Sequence, residues 1–479
     1  MPHTFARDSE QQSRPSLFRF KFHTWSTTVS VVPLGVVCSI PLWVWFVAMA
    51  PGGMSPDSIS SWKQGATGHF VNDNPPFFTW LMNLSRIAVG SPWLLAAAQV
   101  IAVALTISYA AVGMRSLVGG GASYAIVAMV IAGTPSVGLF AVTLWKDVLF
   151  AASLIALFGA LVRITDADRK AGSAATTTWV ALLFAAASSS LLRQNGIVVA
   201  VVILLTAVAV LHQRRHLVAV GLATIAIWGV AVGVVYPAIG VQPLPDSYQN
   251  AAIIHDLSAI AVHAEDKDVE ALLSLAGSIA LQRTLYDCET VDPTHYNPNL
   301  NWDAPGLTPS TVRRLWLEKT MEYPFLIAGN HLCAARLAWW PVPMESRIAT
   351  TNITPNDFGL SSYEWIPPLT STATFIANGT VREWFSFAFW SLPGWGILAL
   401  IATLVTARRL QDSRWIILLT PNIGLLVSHA IVSVAQDSRY VFGATITSMM
   451  VAPLLWLRPD GAPPSKHGPR GFTRFLRYR

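Results

Sequence analysis

Asp57 stands in Met54-Ser55-Pro56-Asp57-Ser58, a polar stretch that runs on to Asn72-Asp73-Asn74-Pro75-Pro76. It directly follows the first long apolar run. A carboxylate can take a proton from a hydroxyl as that hydroxyl attacks an electrophilic carbon, so Asp57 is a candidate general base. Partial burial at a bilayer rim would raise its pKa toward that task. Capping is the competing reading: Asp57 or Ser58 would start a short helix over 59–66. His69, Asn72, Asp73 and Asn74 could line the same pocket.

Three basic residues match this carboxylate. Lys146 follows Trp145 with no loop before the next apolar run, and Arg193 lies in the turn Arg193-Gln194-Asn195-Gly196. Arg439 lies in Asp437-Ser438-Arg439-Tyr440. An arginine can hold a phosphate through paired charge-assisted bonds, and a lysine can hold it as a point charge. Snorkelling explains such residues as well, and so do ion pairs of Lys146 with Asp147 or of Arg439 with Asp437.

The elements that must position these groups are apolar helices. The chain has 479 residues, of which 53% are hydrophobic and 12% charged. Its mean hydropathy is +0.48. A soluble domain carries about 25% charged residues, so this is an α-helical polytopic membrane protein. The net charge of +6 resides on short loops between apolar runs, where topology accounts for it, and nucleic acid is not expected as a partner. No Cys/His pattern has zinc spacing, and no glycine-rich phosphate loop follows a strand pattern.

Ten spans are predicted, at about 27–50, 92–112, 122–145, 147–163, 178–192, 196–211, 217–237, 388–407, 415–435 and 440–457. The first is too long for a removable signal peptide and lacks a cleavage site. The fourth to sixth are short for a bilayer core of ~30 Å, so the turns beside them should sit at headgroup depth. With both termini inside, the inner loops and tails carry most of the Lys and Arg. The short outer segments carry only Lys63, Arg86, Lys146, Arg193 and Arg439. This asymmetry follows the positive-inside rule.

The expected organisation is a cytoplasmic leader (1–26), a seven-span module (27–239) and an extracytoplasmic domain (240–387), followed by a three-span module (388–457) and a basic tail (458–479). The first outer loop, 51–91, carries the site. The leader and tail read as disordered. In the extracytoplasmic domain an amphipathic helix is predicted near 248–263, and a second helical tract from about 310 to 340, interrupted by Pro324. Within it His255, Asp256, Glu322, His331, Arg336 and the Trp339-Trp340 pair are weaker site candidates; fold support explains each of them better. An interfacial helix is expected over 77–89. Cys288 and Cys333 share this outer domain and could form a disulfide, whereas Cys38 lies within the first span.

Taken together, Ser55-Pro56-Asp57-Ser58 with Asn74-Pro75-Pro76, Trp145-Lys146-Asp147 and Arg193-Gln194-Asn195-Gly196 resemble the GT-C superfamily of multispanning glycosyltransferases, in a bacterial branch. His255-Asp256-Leu257, the tract from Glu322-Tyr323-Pro324 to Arg336 and Asp437-Ser438-Arg439-Tyr440 match it more loosely. The resemblance implies a GT-C-like fold and a sugar donor on a polyprenyl phosphate. It implies Asp57 as base, with Lys146, Arg193 and Arg439 at the donor phosphate. Around them His69, Asn72, Asp73, Asn195, His255, Asp256, Arg336 and Tyr440 would form a substrate pocket. The acceptor would be a glycan, lipid or protein of the cell envelope, reached on the outer face of the cytoplasmic membrane. Many members pair two acids in the first loop or hold a metal. Here the second acid would have to be Asp73 or Asp147, so no cofactor is assigned, although a divalent metal is possible.

A transporter or flippase for lipid-linked sugars is the alternative. It predicts ionisable groups buried mid-span and symmetry between halves. The charged groups of this sequence lie at span ends, and no internal repeat is apparent.

Overall fold

The computed structural model describes residues 30–119, 122–244, 246–340, 350–432, 436–457 and 459. The predicted leader lies outside the described residues, as does the tail apart from residue 459.

The chain is a multi-pass helical membrane protein. Among the described residues five helices are long and apolar enough to cross a membrane, or six if one bent pair counts as a span. α1 (Val31–Ala48) is followed by two short helices, α2 (Pro56–Thr67) and α3 (Pro76–Val89). Each short helix has proline in its first turn and a left-handed glycine at its C-cap, Gly68 and Gly90. Proline fits there because the first turn has no N–H partner to lose, and glycine fits because it carries no Cβ penalty at positive φ.

α4 (Trp93–Val118) packs between α1 and the central helix, α7 (Lys146–Arg169). The intervening stretch departs from expectation. A single span over 122–145 was predicted, but the chain forms α5 (Ser123–Gly133) and α6 (Pro135–Val142), bent by 62°. Pro135 is the cause: it has no N–H to continue the first helix and disfavours helical geometry at Thr134, which is extended.

The fourth span, expected to be short, is α7 with 24 residues, because the helix runs on past 163 through the polar turn to Arg169; α8 (Thr176–Leu192) and α9 (Gly196–Val210) have 17 and 15 residues, as short as the sequence indicated. α10 runs over Arg214–Ala238 with only 11% of its apolar window buried. Its many exposed aliphatic residues, including Leu222, Ile225 and Val230, suit a lipid-facing helix.

The region after it has a hydrophobic core of its own. Leu257, Ile260, Val269, Leu273, Trp302 and Val312 are among its buried members. It contains α11 (Ala251–His263), α12 (Pro309–Glu322) and α13 (Pro324–Ala334). Thr308 caps α12, accepting from the Thr311 N–H, and Pro324 starts α13 immediately after α12 ends. The Cys288–Cys333 disulfide closes this region, while Cys38 is free and buried.

α14 (Pro367–Thr380) and α15 (Leu392–Leu410) lead to a span over Ser413–Ile431, whose second half is α16 (Thr420–Val432). α17 (Phe442–Val451) packs against α7 and α15.

Backbone pairing between distant segments sets the entry to α2. Gly53 pairs in parallel with Thr143, and Met54 with Ile353. The Leu144 N–H donates to the Gly53 carbonyl at 2.8 Å, the Met54 N–H to Asn352 at 3.1 Å and the Thr354 N–H to Met54 at 2.9 Å. Glycine is required at 53, because a Cβ there would run into the Thr350 carbonyl oxygen.

Candidate active site

Asp57 occupies the first turn of α2, one residue after Pro56. Its neighbours lock the backbone. The Trp145 indole N–H donates to Ser55 Oγ at 2.8 Å, and Ser58 Oγ donates to the Leu144 carbonyl at 2.7 Å. The carboxylate points at two cations, with Arg439 Nη1 at 2.9 Å and Lys146 Nζ at 3.5 Å from Oδ2. Neither Ser55 nor Asp57 caps the helix through its side chain. The Asp57 side chain is 43% exposed.

Lys146 opens α7 and also donates to Asn74 Oδ1 at 3.0 Å. Asn74 in turn lies 3.4 Å from the Asp57 carbonyl. Asp147 follows Lys146 but turns the other way, into the protein, with no exposed surface. Arg193 Nη1 is 3.5 Å from Asp147 Oδ1 and Arg439 Nε 4.0 Å from Asp147 Oδ2. Both Asp147 oxygens lack a hydrogen bond among the described residues. A Lys146–Asp147 pair was one sequence reading; adjacent side chains on a helix diverge by about 100°, and here they face different partners.

Arg193 is buried at the α8–α9 turn. Gly196 makes that turn tight, since a Cβ there would collide with the Ser189 carbonyl. The Arg193 guanidinium lies 4.1 Å from the Tyr440 ring centroid, and its Nη1 donates to the Tyr440 carbonyl at 3.2 Å. Asn195 donates to Ser428 Oγ at 2.9 Å, tying the turn to α16. Arg439 sits at the centre of the cluster. Its Nε lies 2.8 Å from Asp437 Oδ2, and its guanidinium carbon lies 5.0 Å from the Trp145 ring centroid. That Nε–H nevertheless forms no hydrogen bond among the described residues. The Asp437 carboxylate accepts from the Arg439 backbone N–H, fixing the turn.

The electrostatics reverse one expectation. Burial was expected to raise the pKa of Asp57. Instead the Lys146 ammonium holds its carboxyl down to about 2, outweighing burial, and Arg439 adds to the effect. An opposite charge within a few ångströms favours the ionised form more than partial desolvation disfavours it. Asp437 behaves in the opposite way: burial pushes it up to about 6 although Arg439 pulls it down.

Other expected pocket members lie elsewhere or serve the scaffold. His69 is exposed beyond the end of α2. Asp73 accepts from Ser60 and Gln64 side chains and from the Asn74 N–H, which shapes the turn before α3. Gln194 donates to the Asn72 carbonyl at 2.9 Å and so joins that turn to the Arg193 loop. Lys63 is exposed, and Arg86 bonds Asn83.

His255 and Asp256 belong to a separate network. Buried Asp256 accepts from Trp316 Nε1 at 2.9 Å, Asn330 Nδ2 at 2.8 Å and His331 Nε2 at 3.0 Å. His331 Nδ1 faces the Ala430 carbonyl at 2.9 Å. Both nitrogens of His331 therefore face acceptors, and the Asp256 hydrogen bond raises its pKa. Glu322 pairs with Lys319, and Arg336 with Glu289 at 3.7 Å. Glu322, His331 and Arg336 thus have separate partners and form no common cluster. Trp339 and Trp340 are about half exposed.

Asp437 is the member that the sequence showed only as a local ion-pair partner, and Asp147 the one it showed only as such a partner or as a second acid. The signal was present in Lys146-Asp147 and Asp437-Ser438-Arg439, but their cross-chain partners depend on the packing of α7 against α17. Tyr296 is a further neighbour: partial burial raises its phenol first, then the charges of Tyr248, Asp292, Asp57 and Tyr440. Among the described residues no group of three or more His, Cys, Asp or Glu is arranged to hold a metal ion.

No family model matches the sequence, and no curated protein matches it either. Among solved structures the chain is similar to ArnT from Cupriavidus metallidurans bound to undecaprenyl phosphate, at 16% identity and a TM-score of 0.36. That match covers 89% of this chain and 77% of the other. The apo form of the same protein matches at 14% identity and a TM-score of 0.35, covering 88% and 77%.

Proposed function

We propose that this chain is an inverting extracytoplasmic glycosyltransferase of the cytoplasmic membrane, with both chain ends inside. It moves a sugar from a polyprenyl-phosphate donor to a cell-envelope glycan, lipid or protein. The observation that carries this reading is the meeting of Asp57 with Lys146 and Arg439 at the end of α7, with Arg193 behind them.

A part-exposed carboxylate beside a cluster of cations supplies the two halves of glycosyl transfer. The cations bind the donor phosphate and stabilise the negative charge that grows on it as the glycosidic bond breaks. Asp57 takes the proton of the acceptor hydroxyl as its oxygen bonds the anomeric carbon. The electron pair of the broken carbon–oxygen bond stays on the phosphate. The site's place at helix ends, beside the short α8 and α9, suits a phosphate at headgroup depth with its prenyl tail among the helices.

The test offers the purified protein in liposomes the same sugars linked to UDP, to GDP and to polyprenyl phosphate. Transfer is expected from the lipid-linked form alone. Transfer from a nucleotide sugar without a lipid intermediate overturns the donor assignment, and movement of lipid-linked sugar between leaflets without transfer points to a flippase.

A further inference from the structure

The six charged groups of the site are balanced: Lys146, Arg193 and Arg439 against Asp57, Asp147 and Asp437. An incoming phosphate adds negative charge to a cluster that already has a carboxylate for each cation. Binding therefore needs one of the acids to give way. Asp147 cannot do so: it is wholly buried between two arginines. Asp437 is 11% exposed and holds its own turn through the Arg439 N–H. Asp57 is 43% exposed, and Lys146 and Arg439 are the cations its carboxylate meets. Its backbone is fixed by the bonds of Ser55 and Ser58 to the Trp145–Leu144 segment. It can leave by side-chain rotation alone.

We propose that Asp57 is also the built-in anion of the site: it occupies Lys146 and Arg439 until a ligand phosphate displaces it, and only the phosphate-loaded site has a free base. This rests on the donor reading above, and names how that donor would control the base. An aspartate paired with two cations is a poor proton acceptor, so the empty site is held idle. The donor phosphate takes over both cations and leaves Asp57 beside the reacting sugar without its partners. In the transfer step the acceptor O–H bond breaks and its proton goes to Asp57. The anomeric carbon exchanges the phosphate oxygen for the acceptor oxygen. The phosphate passes from diester to monoester and gains about one negative charge, and the proton on Asp57 cancels that gain within the site. When the proton leaves to water, Asp57 again competes for Lys146 and Arg439 and helps to expel the lipid phosphate.

The test is an affinity measurement on full-length protein with a polyprenyl phosphate as probe. Removing a competing anion should tighten binding. Asp57→Asn and Asp57→Ala are both expected to bind the probe about tenfold more tightly than wild type, and Lys146→Ala more weakly. Equal or weaker binding by both Asp57 variants, with wild type still binding, overturns this proposal and leaves the donor reading intact. Failure of wild type to bind the probe strikes the donor reading itself, and this proposal with it. A second measurement needs no variant. Carbodiimide modification of Asp57 in wild type, mapped by mass spectrometry, should rise when the probe is added. Unchanged or reduced modification overturns the proposal.

Discussion

α7 carries an ionic cluster at each end, and the two are built differently. The ends lie roughly 36 Å apart along a helix of 24 residues. At the Arg169 end the bonds are short and directional. Arg414 grips Asp412 through Nε at 2.8 Å and Nη2 at 3.1 Å, and Arg169 Nε reaches the same carboxylate at 3.0 Å. Lys170 bonds Asp166 at 2.8 Å. These contacts staple α7 to the start of the Ser413–Ile431 span and line a cavity of about 850 Å³ that also includes Ser116 and His212. At the Lys146 end Arg439 meets Asp57 at 2.9 Å and Asp437 at 2.8 Å, but among the described residues the Asp147 oxygens and the Arg439 Nε–H have no hydrogen bond, and three ion pairs stretch to 3.5 Å or beyond. One set of ions has satisfied itself. The other keeps buried atoms without a hydrogen bond among the described residues, behind the part-exposed carboxylate of Asp57, and unsatisfied buried polar groups gather at functional sites.

The largest effect that could break this contrast is on turnover. Asp57→Asn should lower kcat by about 10²–10⁴-fold, the span of general-base contributions. Its far-end counterpart, Arg414→Ala, should leave kcat and KM near wild type. Near-normal turnover in Asp57→Asn would remove Asp57 from the mechanism, and with it the meaning of the contrast.

Next comes Asp147→Asn, which leaves Arg193 and Arg439 without their fully buried counter-ion. Breaking a buried pair costs about 3–5 kcal/mol. A lowered thermal midpoint with a raised donor KM is expected, and an unchanged KM would show that Asp147 supports only the fold. Arg414→Ala should cost less, about 1–2 kcal/mol, because its part-exposed pairs are screened by water. Thermal unfolding measures it, and a change in donor KM would mean that the far end is not a mere staple.

The smallest effect is in pH. Asp57, held at about 2 against an ordinary 3.8, contributes stability above pH ~4 that is lost as pH falls through about 2. Asp437 has the opposite sign. Its folded pKa of about 6 lies above 3.8, so its contribution is full below pH ~4 and lost as pH rises through about 6. A neutral Asp437 no longer competes for Arg439. Donor affinity should therefore rise modestly from pH 7 to pH 5, and Asp437→Asn should abolish that dependence.

Much of this was legible in the sequence. Lys146 directly after an apolar run, and Arg193 in an Asn-Gly turn between short helices, mark helix ends at one membrane face. Asp57 after the first span marks the same face. The break at Pro135 was written in the sequence too, but an unbroken apolar run outweighed a single proline in the reading. What local sequence does not carry is direction. Asp147 could pair with its neighbour Lys146 or with distant residues such as Arg193 and Arg439, and only the packing of α7 against α8 and α17 decides. The sign of the Asp57 shift depends on the same packing, since burial and the two cations act in opposite senses. His255 and Asp256 illustrate the converse: a polar pair in a loop domain reads alike whether it serves a substrate or, as here, bonds Asn330 and His331.

The pairing of Gly53 with Thr143, and of Met54 with Ile353, has a mechanical consequence. Asp57 lies four residues beyond Gly53, and Lys146 three beyond Thr143. The Asp57 carboxylate and the Lys146 ammonium are thus borne on two short arms leaving a single hinge plate. Displacement of the Thr350–Thr354 segment is delivered to both arms at once, so a push from the loop side moves the ion pair as a unit and hardly alters the gap between them. The gap itself opens and closes only by side-chain rotation. A bulkier residue at 53 would wedge the plate apart at its rim and skew one arm against the other, a fault that no change at either arm could correct.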